Sequence, residues 1–325
     1  MINRAISELK ERIFRKESIN KVDILSIVEA PLSELTTAAN EIRQHFCGQN
    51  FDLCSIINVK SGRCSENCKF CAQAACYKTP IDTYPFLDDE PVLKQAMHDD
   101  QQGVLRFSMV AAAKKLNKVD IAKACQITRK ILDTTKLSVC VSGGLLNEAD
   151  LQELKSAGVD RIHNNLETSE RFFPQMCSTH TFQDKIATLK AARRAGLSLC
   201  SGGVFGLGES MEDRVDLFFQ LKELEVKSVP INLLNPIPGT PYENNKILTN
   251  DELCRIVAIA RFILPDAAIR MAGGRGLLPD KGKQCFLSGA NAAITGDMLT
   301  TPGITVEQDV KMITELGFKI RKLGE

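Results

Sequence analysis

Short apolar runs at residues 53–59, 104–110, 137–141, 159–166, 197–204, 228–234, 268–271 and 291–294 alternate along this chain with longer amphipathic stretches. In those stretches the apolar positions recur every three to four residues, the period of a helix with one buried face. Residues 118–133 carry Val119, Ile121, Ala122, Cys125 and Ile131; residues 182–195 carry Ile186, Leu189 and Ala192. The same spacing marks 147–157, 210–224 and 249–264. Gly158 and Gly196 stand just past two of these segments, where a helix is expected to stop. Strand–helix alternation of this length predicts a parallel sheet. About eight units in roughly 250 residues predict the α/β class and a closed (β/α)8 barrel of the TIM type. An open doubly wound sheet is the alternative. Residues 1–50 read as an N-terminal helical extension, with Ile6, Leu9, Ile13 and Phe14 and later Ile42 and Phe46 at helical spacing. The barrel is expected over 51–302, and a C-terminal helix packed on it over 303–325. A chain of 325 residues that is 44% hydrophobic can fill such a core.

Charge narrows the partners. The formal net charge is +1 and no basic cluster or acidic tail stands out, which argues against nucleic acid and anionic membrane. The N-terminal residues are charged and amphipathic, unlike a signal peptide. No run reaches the ~18 apolar residues of a membrane span. The expectation is a soluble, cytoplasmic protein. Its twelve cysteines are spread along the chain, which suits reduced thiols, some binding metal, better than a disulfide scaffold.

The densest chemical signal is SGRCSENCKFCAQ at residues 61–73, where Cys64, Cys68 and Cys71 are spaced C-x3-C-x2-C directly after the first predicted strand. In a barrel, the loops after strands form the face that carries catalysis. Three thiolates on a [4Fe–4S] cube leave one iron open, where four would make it an electron carrier. An amine and a carboxylate can chelate that iron, and an electron passed into a bound sulfonium would break its carbon–sulfur bond homolytically. The competing reading is a structural zinc site, which usually draws two spaced ligand pairs; no second C-x2-C pair is present. The spacing, with Phe70 before the last cysteine, resembles the signature of the radical S-adenosylmethionine superfamily.

Other polar residues fall within the apolar runs: Ser108, Cys140, His163 with Asn165, Cys200, Asn232 and Arg270. A barrel would gather them around one cavity. Cys140 or Cys200 alone would pass as a small core residue. Arg270 inside a barrel needs an anion, either a thiolate-bound cluster or a strand-end carboxylate such as Glu167. Strand alternation would point His163, Asn165 and Glu167 the same way, suited to ribose hydroxyls or a urea-like group. The glycine-rich CSGGVFGLGES at 200–210 lacks the G-K-[ST] of a phosphate cradle, and reads as close backbone approach to a ligand. NPIPGTPYENN at 235–245 reads as a rigid or functional loop.

Taken together, NVKSGRCSENCKFCAQ, HNNLETSERFFP, CSGGVFGLGE, SVPINLLNPIPGTP, AIRMAGGR and GANAAITGDMLTTPG resemble the biotin synthase family over residues 40–318. The resemblance implies a homodimeric β/α barrel that inserts sulfur into dethiobiotin, using S-adenosylmethionine and two iron–sulfur clusters. It implies a flavodoxin or ferredoxin as electron donor. Cys64, Cys68 and Cys71 match the ligands of the [4Fe–4S] cluster. The family's auxiliary [2Fe–2S] cluster is held by three cysteines and an arginine; Cys140, Cys200 and Arg270 match three of these and act at the sulfur donor. Ser108 stands where the third cysteine is expected. Oxygen ligation by Ser108, replacement by Cys76, or a cluster with more iron or an extra sulfide would each answer that departure, and a variant auxiliary cluster is the expectation. By the same resemblance Asn165, Glu167 and Lys185 hold S-adenosylmethionine, while His163, Asn165 and Asn232 hold the substrate. Glu167 replaces an aspartate, and Lys185 an arginine, so a point charge stands in for a bidentate fork. Two rivals are a different radical enzyme on this scaffold, such as a mutase or hydrogenase-cluster maturase, and a non-catalytic electron carrier.

Overall fold

The computed structural model describes residues 2–323, with the side chains of Ile2 and Asn3 left out. Its parallel strands are β1 (Asn50–Lys60), β2 (Arg106–Ala111), β3 (Ser138–Ser142), β4 (Arg161–His163), β5 (Ser198–Cys200), β6 (Gly203–Phe205), β7 (Ser228–Leu233), β8 (Ala268–Met271), β9 (Ala292–Thr295) and β10 (Lys319–Ile320). They pair in chain order, with both β5 and β6 on β7, and β9 returns to pair with β1. With β5 and β6 counted as one interrupted strand, this is a closed eight-stranded barrel ringed by helices, as expected of the alternation.

The outer helices begin where their sequences say they should. Asn117, Asn147, Thr181, Ser210, Thr249 and Thr305 each accept a bond from the backbone three residues on. Each satisfies a donor that the first helical turn leaves orphaned. Gly158 and Gly196 follow helices Glu148–Ser156 and Phe182–Arg194 in the left-handed conformation. The first fifty residues form helices Ile2–Phe14, Lys21–Leu25 and Leu32–Cys47. The last of these packs on helix Asn250–Ile263, outside the barrel, and carries the first helix on its back.

Four details differ from expectation. The run 159–166 is a regular strand only over Arg161–His163; beyond it the pairing is reduced to an isolated parallel bridge between Glu167, whose backbone is left-handed (φ 70°), and Gly203. The run 197–204 breaks at Ser201–Gly202, where β7 changes partners from β5 to β6. The carboxylate runs Asp88–Glu90 and Asp99–Asp100 would pass in the sequence for solvated surface, yet Asp99 is buried on helix Asp89–Gln101, and burial raises its pKa. Residues 303–323 add helix Val306–Glu315 and then β10, which pairs with the start of β1. β1 reaches below its barrel neighbours, and β10 takes up the backbone groups that would otherwise lack partners.

Candidate active site

Alternate residues of each strand point inward, the even-numbered ones on most strands and the odd-numbered ones on β4. Asp52, Ser108, Cys140, Arg161, His163, Cys200, Asn232 and Arg270 thus share one interior. Many of these side chains are small, so the upper barrel keeps a cavity of about 380 Å³ open toward the loops after the strands. Cys64, Cys68, Cys71, Asn165, Glu167 and Lys185 line the same cavity.

The cysteine loop leaves β1 through two left-handed residues, Gly62 and Arg63. The N–H of Cys64 donates to Gln73 O (3.0 Å), and that of Ala75 returns to Cys64 O (2.8 Å). Asn67 anchors the loop to the segment before helix Phe182–Arg194. Its Nδ2 donates to Ser178 Oγ (2.7 Å), and the Ser178 N–H donates to its Oδ1 (3.0 Å). The Thr179 hydroxyl donates to Glu66 Oε2 (2.8 Å), which also pairs with His180. Cys177 and His180 escaped the sequence reading; their ligand atoms and that of Cys68 lie within 4.8 Å of one another. The available signal was the Cys–Ser–Thr–His run just before a capped helix.

All twelve cysteines are free thiols. Three unpaired thiols on one loop, facing the mouth of the cavity, fit a cubane with one open iron. Lys185 in the first turn of helix Phe182–Arg194 also faces the cavity; its charge opposes the rise that burial imposes on the pKa of Cys64, and the rise that a hydrogen bond with Cys177 and then burial impose on that of Cys68. Glu167 is similarly buried, which raises its pKa against the pull of Lys185 and His163. Its Oε2 has no partner among the described residues, so a ligand hydroxyl would complete it.

Lower in the barrel, Arg270 donates to Asp52 Oδ1 (2.7 Å) and to the carbonyls of Asp52 and Ala293 (both 2.9 Å). Its carboxylate partner is therefore Asp52 on the neighbouring arc of the barrel, and not Glu167. Cys140 and Cys200 are buried beside it. Burial alone would raise the Cys200 pKa, but His163, with Nδ1 3.4 Å from the sulfur, and the guanidiniums of Arg161 and Arg270 bring it to about 6. Two buried thiols among cationic side chains fit an iron–sulfur group. Ser108 lines the cavity, whereas Cys76 is exposed and turned away from it. Asn232 spends one amide N–H on Gly203 O and accepts from the Gly273 N–H, both at 3.0 Å, leaving one donor and one lone pair beyond those bonds.

The glycine-rich segment serves protein contacts. A Cβ on Gly202 would lie 1.9 Å from Pro230 O, and one on Gly203 would lie 2.5 Å from Glu167 O. The close approach seen here is to β7 at Pro230 and to the backbone of Glu167. The N–H groups of Gly206 and Leu207, which could cradle an anion, donate to Glu209. In the 235–245 loop, Gly239 packs against the carbonyl of Lys78, while Asn235 and Ile237 reach the cavity.

Residues 58–221 match the model of the Radical SAM superfamily, and residues 230–319 match the Biotin and Thiamin Synthesis associated domain. The chain is 52% identical to a biotin synthase of Brachyspira hyodysenteriae over 97% of its own length and 95% of the relative. It is 49% identical to a biotin synthase of Akkermansia muciniphila, covering 97% and 98%. Among solved structures, methylornithine synthase superposes with a TM-score of 0.83 at 17% identity, over 97% of this chain and 98% of that one, a likeness of fold. A paired-thiol cavity in a β/α barrel, together with relatives this close over nearly the whole length, shows that the chain belongs to the biotin synthase family of radical S-adenosylmethionine enzymes.

Proposed function

We propose that this chain inserts sulfur into dethiobiotin to form biotin. The observation that supports this is a single cavity lined by two separate groups of thiols. Cys64, Cys68 and Cys71 lie on the entrance loop, and Cys140 and Cys200 lie beside Arg270 inside the barrel. When bound, a [4Fe–4S] cluster at the first group supplies the electron that cleaves S-adenosylmethionine to a carbon radical, and an auxiliary cluster at the second supplies the sulfur.

The protein's own residues then bind, orient and exclude. Glu167, with a buried oxygen that has no partner among the described residues, accepts from the ribose hydroxyls. Asn165 holds the Gly202 N–H (3.0 Å) and so fixes the floor beneath the adenosyl group. Lys185 offers its ammonium to the methionyl carboxylate. His163 and the remaining polar valences of Asn232 face the ureido ring. The barrel wall keeps water from the radical. The auxiliary cluster is a [2Fe–2S] unit or a variant with more iron or an extra sulfide. A flavodoxin or ferredoxin provides the electron, and the working form is a cytoplasmic homodimer, with residues 1–50 and 303–325 flanking the catalytic barrel. No helix of the described residues is long and apolar enough to cross a membrane.

The test is anaerobic turnover with dithionite, following deoxyadenosine and biotin with and without dethiobiotin. Biotin formed together with deoxyadenosine supports the reading. Deoxyadenosine release with no biotin would assign the barrel to another radical reaction, and no cleavage at all would leave an electron carrier.

A further inference from the structure

Ser108 leaves the inner group one thiol short of three cysteines, and the residues on β1 supply a candidate that lay unnoticed within an apolar run. Asp52, Cys54 and Ile56 fall on one face of β1. Asp52 is inside the barrel, because its carboxylate meets Arg270, so Cys54 is inside as well. Cys54 is buried and lines the cavity with Cys140, Cys200 and Arg270. The strand register sets Cys54 opposite Arg106, and Ile56 opposite Ser108, which in turn is opposite Cys140. Cys54 is therefore one inward step below Ser108 on the adjacent strand.

Resting on the sulfur-insertion reading above, we propose that Cys54 is the third thiolate of the auxiliary cluster and that Ser108 is a hydrogen-bond donor to Cys140.

The other cysteines are accounted for elsewhere. Cys64, Cys68 and Cys71 form the entrance group, with Cys177 beside Cys68. Cys76 is exposed. Cys47, Cys125, Cys254 and Cys285 are buried away from the cavity, on outer helices. Only Cys54 remains in reach of Cys140 and Cys200. Electrostatics agree with the placement. Burial raises the Cys54 thiol to about 11, with Arg270 pulling it down and the Cys200 charge pushing it up. Cys140 feels both other thiols, while a bond from Ser108 works against the rise that burial imposes. Three thiolates need countercharge in a buried site, and two guanidiniums provide it. Arg270 lies among them, and Arg161 lines the same cavity with an Nε that has no partner among the described residues.

The experiment uses the full chain, purified and reconstituted anaerobically, with iron, acid-labile sulfide and Mössbauer spectra as readouts. Cys54→Ala should lose the iron and sulfide of one cluster and the matching spectral component, while the component of the entrance cluster persists. Ser108→Ala should retain both. If Cys54→Ala does not fold, Cys54→Ser is read in its place: an oxygen ligand should shift the auxiliary spectral component, and an unchanged spectrum overturns the proposal. Retention of full iron in Cys54→Ala, or its loss in Ser108→Ala, also overturns it. A wild-type chain with iron for one cluster alone would instead overturn the sulfur-insertion reading itself.

Discussion

Arg270 and Asp52 form an ion pair inside the barrel, with Nη2 and Oδ1 2.7 Å apart and both side chains almost fully buried. Asp52 also takes the Nε of Arg106 at 3.0 Å. Burial opposes ionisation of Asp52, yet Arg270 and Arg106 hold its carboxyl down to about 2. One carboxylate thus bridges two guanidiniums beneath the inner thiols, with Asp160 as the second partner of Arg106 at 2.7 Å, and it orients Arg270 before any cluster binds.

Asp52→Asn should therefore be severe. It leaves buried Arg270 without its carboxylate partner and Arg106 with Asp160 alone, and breaking a buried pair costs about 3–5 kcal/mol. Urea unfolding of the cluster-free chain measures it. A loss near zero would mean that water in the cavity already screens the guanidiniums.

Cys64→Ala should remove the entrance cluster. Iron should fall by about four per chain, as expected for a cubane, and deoxyadenosine release should disappear, while the far-ultraviolet dichroism stays unchanged. Full iron content in this variant would contradict the ligand assignment.

Glu167→Gln preserves size but weakens acceptance from the ribose. A hydrogen bond to a charged group is worth about 1.5–3 kcal/mol, or roughly ten- to hundred-fold in affinity. Equilibrium binding of S-adenosylmethionine to the reconstituted chain should weaken by that factor. Unchanged binding would place the nucleoside elsewhere.

Gly202→Ala tests the break between β5 and β6. The added carbon would lie 1.9 Å from Pro230 O, which is backbone and cannot swing aside. Forcing the strands apart should destabilise the fold by about 1–3 kcal/mol or more, read as a lower midpoint in thermal unfolding. Gly276→Ala, whose added carbon meets nothing within 4 Å, is the control.

Much of this was legible from residue order. Period-two and period-3.6 patterns are local, so the barrel's strands and helices could be found to within a few residues. C-x3-C-x2-C is local too, since three ligands on one loop need no partner from afar. Even the gathering of His163, Cys200 and Arg270 followed, because a closed parallel barrel turns strand interiors toward one axis.

What stayed hidden depends on register, which links strands distant in sequence. Nothing local to residue 52 reveals that its carboxylate answers Arg270, or that Cys54 faces Cys140 while Cys76 does not. The same holds for Cys177 and His180, brought to the cysteine loop by bonds from Asn67 and Glu66 across more than a hundred residues. Chain order determined the barrel and its entrance thiols; only closure of the β1–β9 seam, by deciding which side chains share a level, chose the companions of the inner ones.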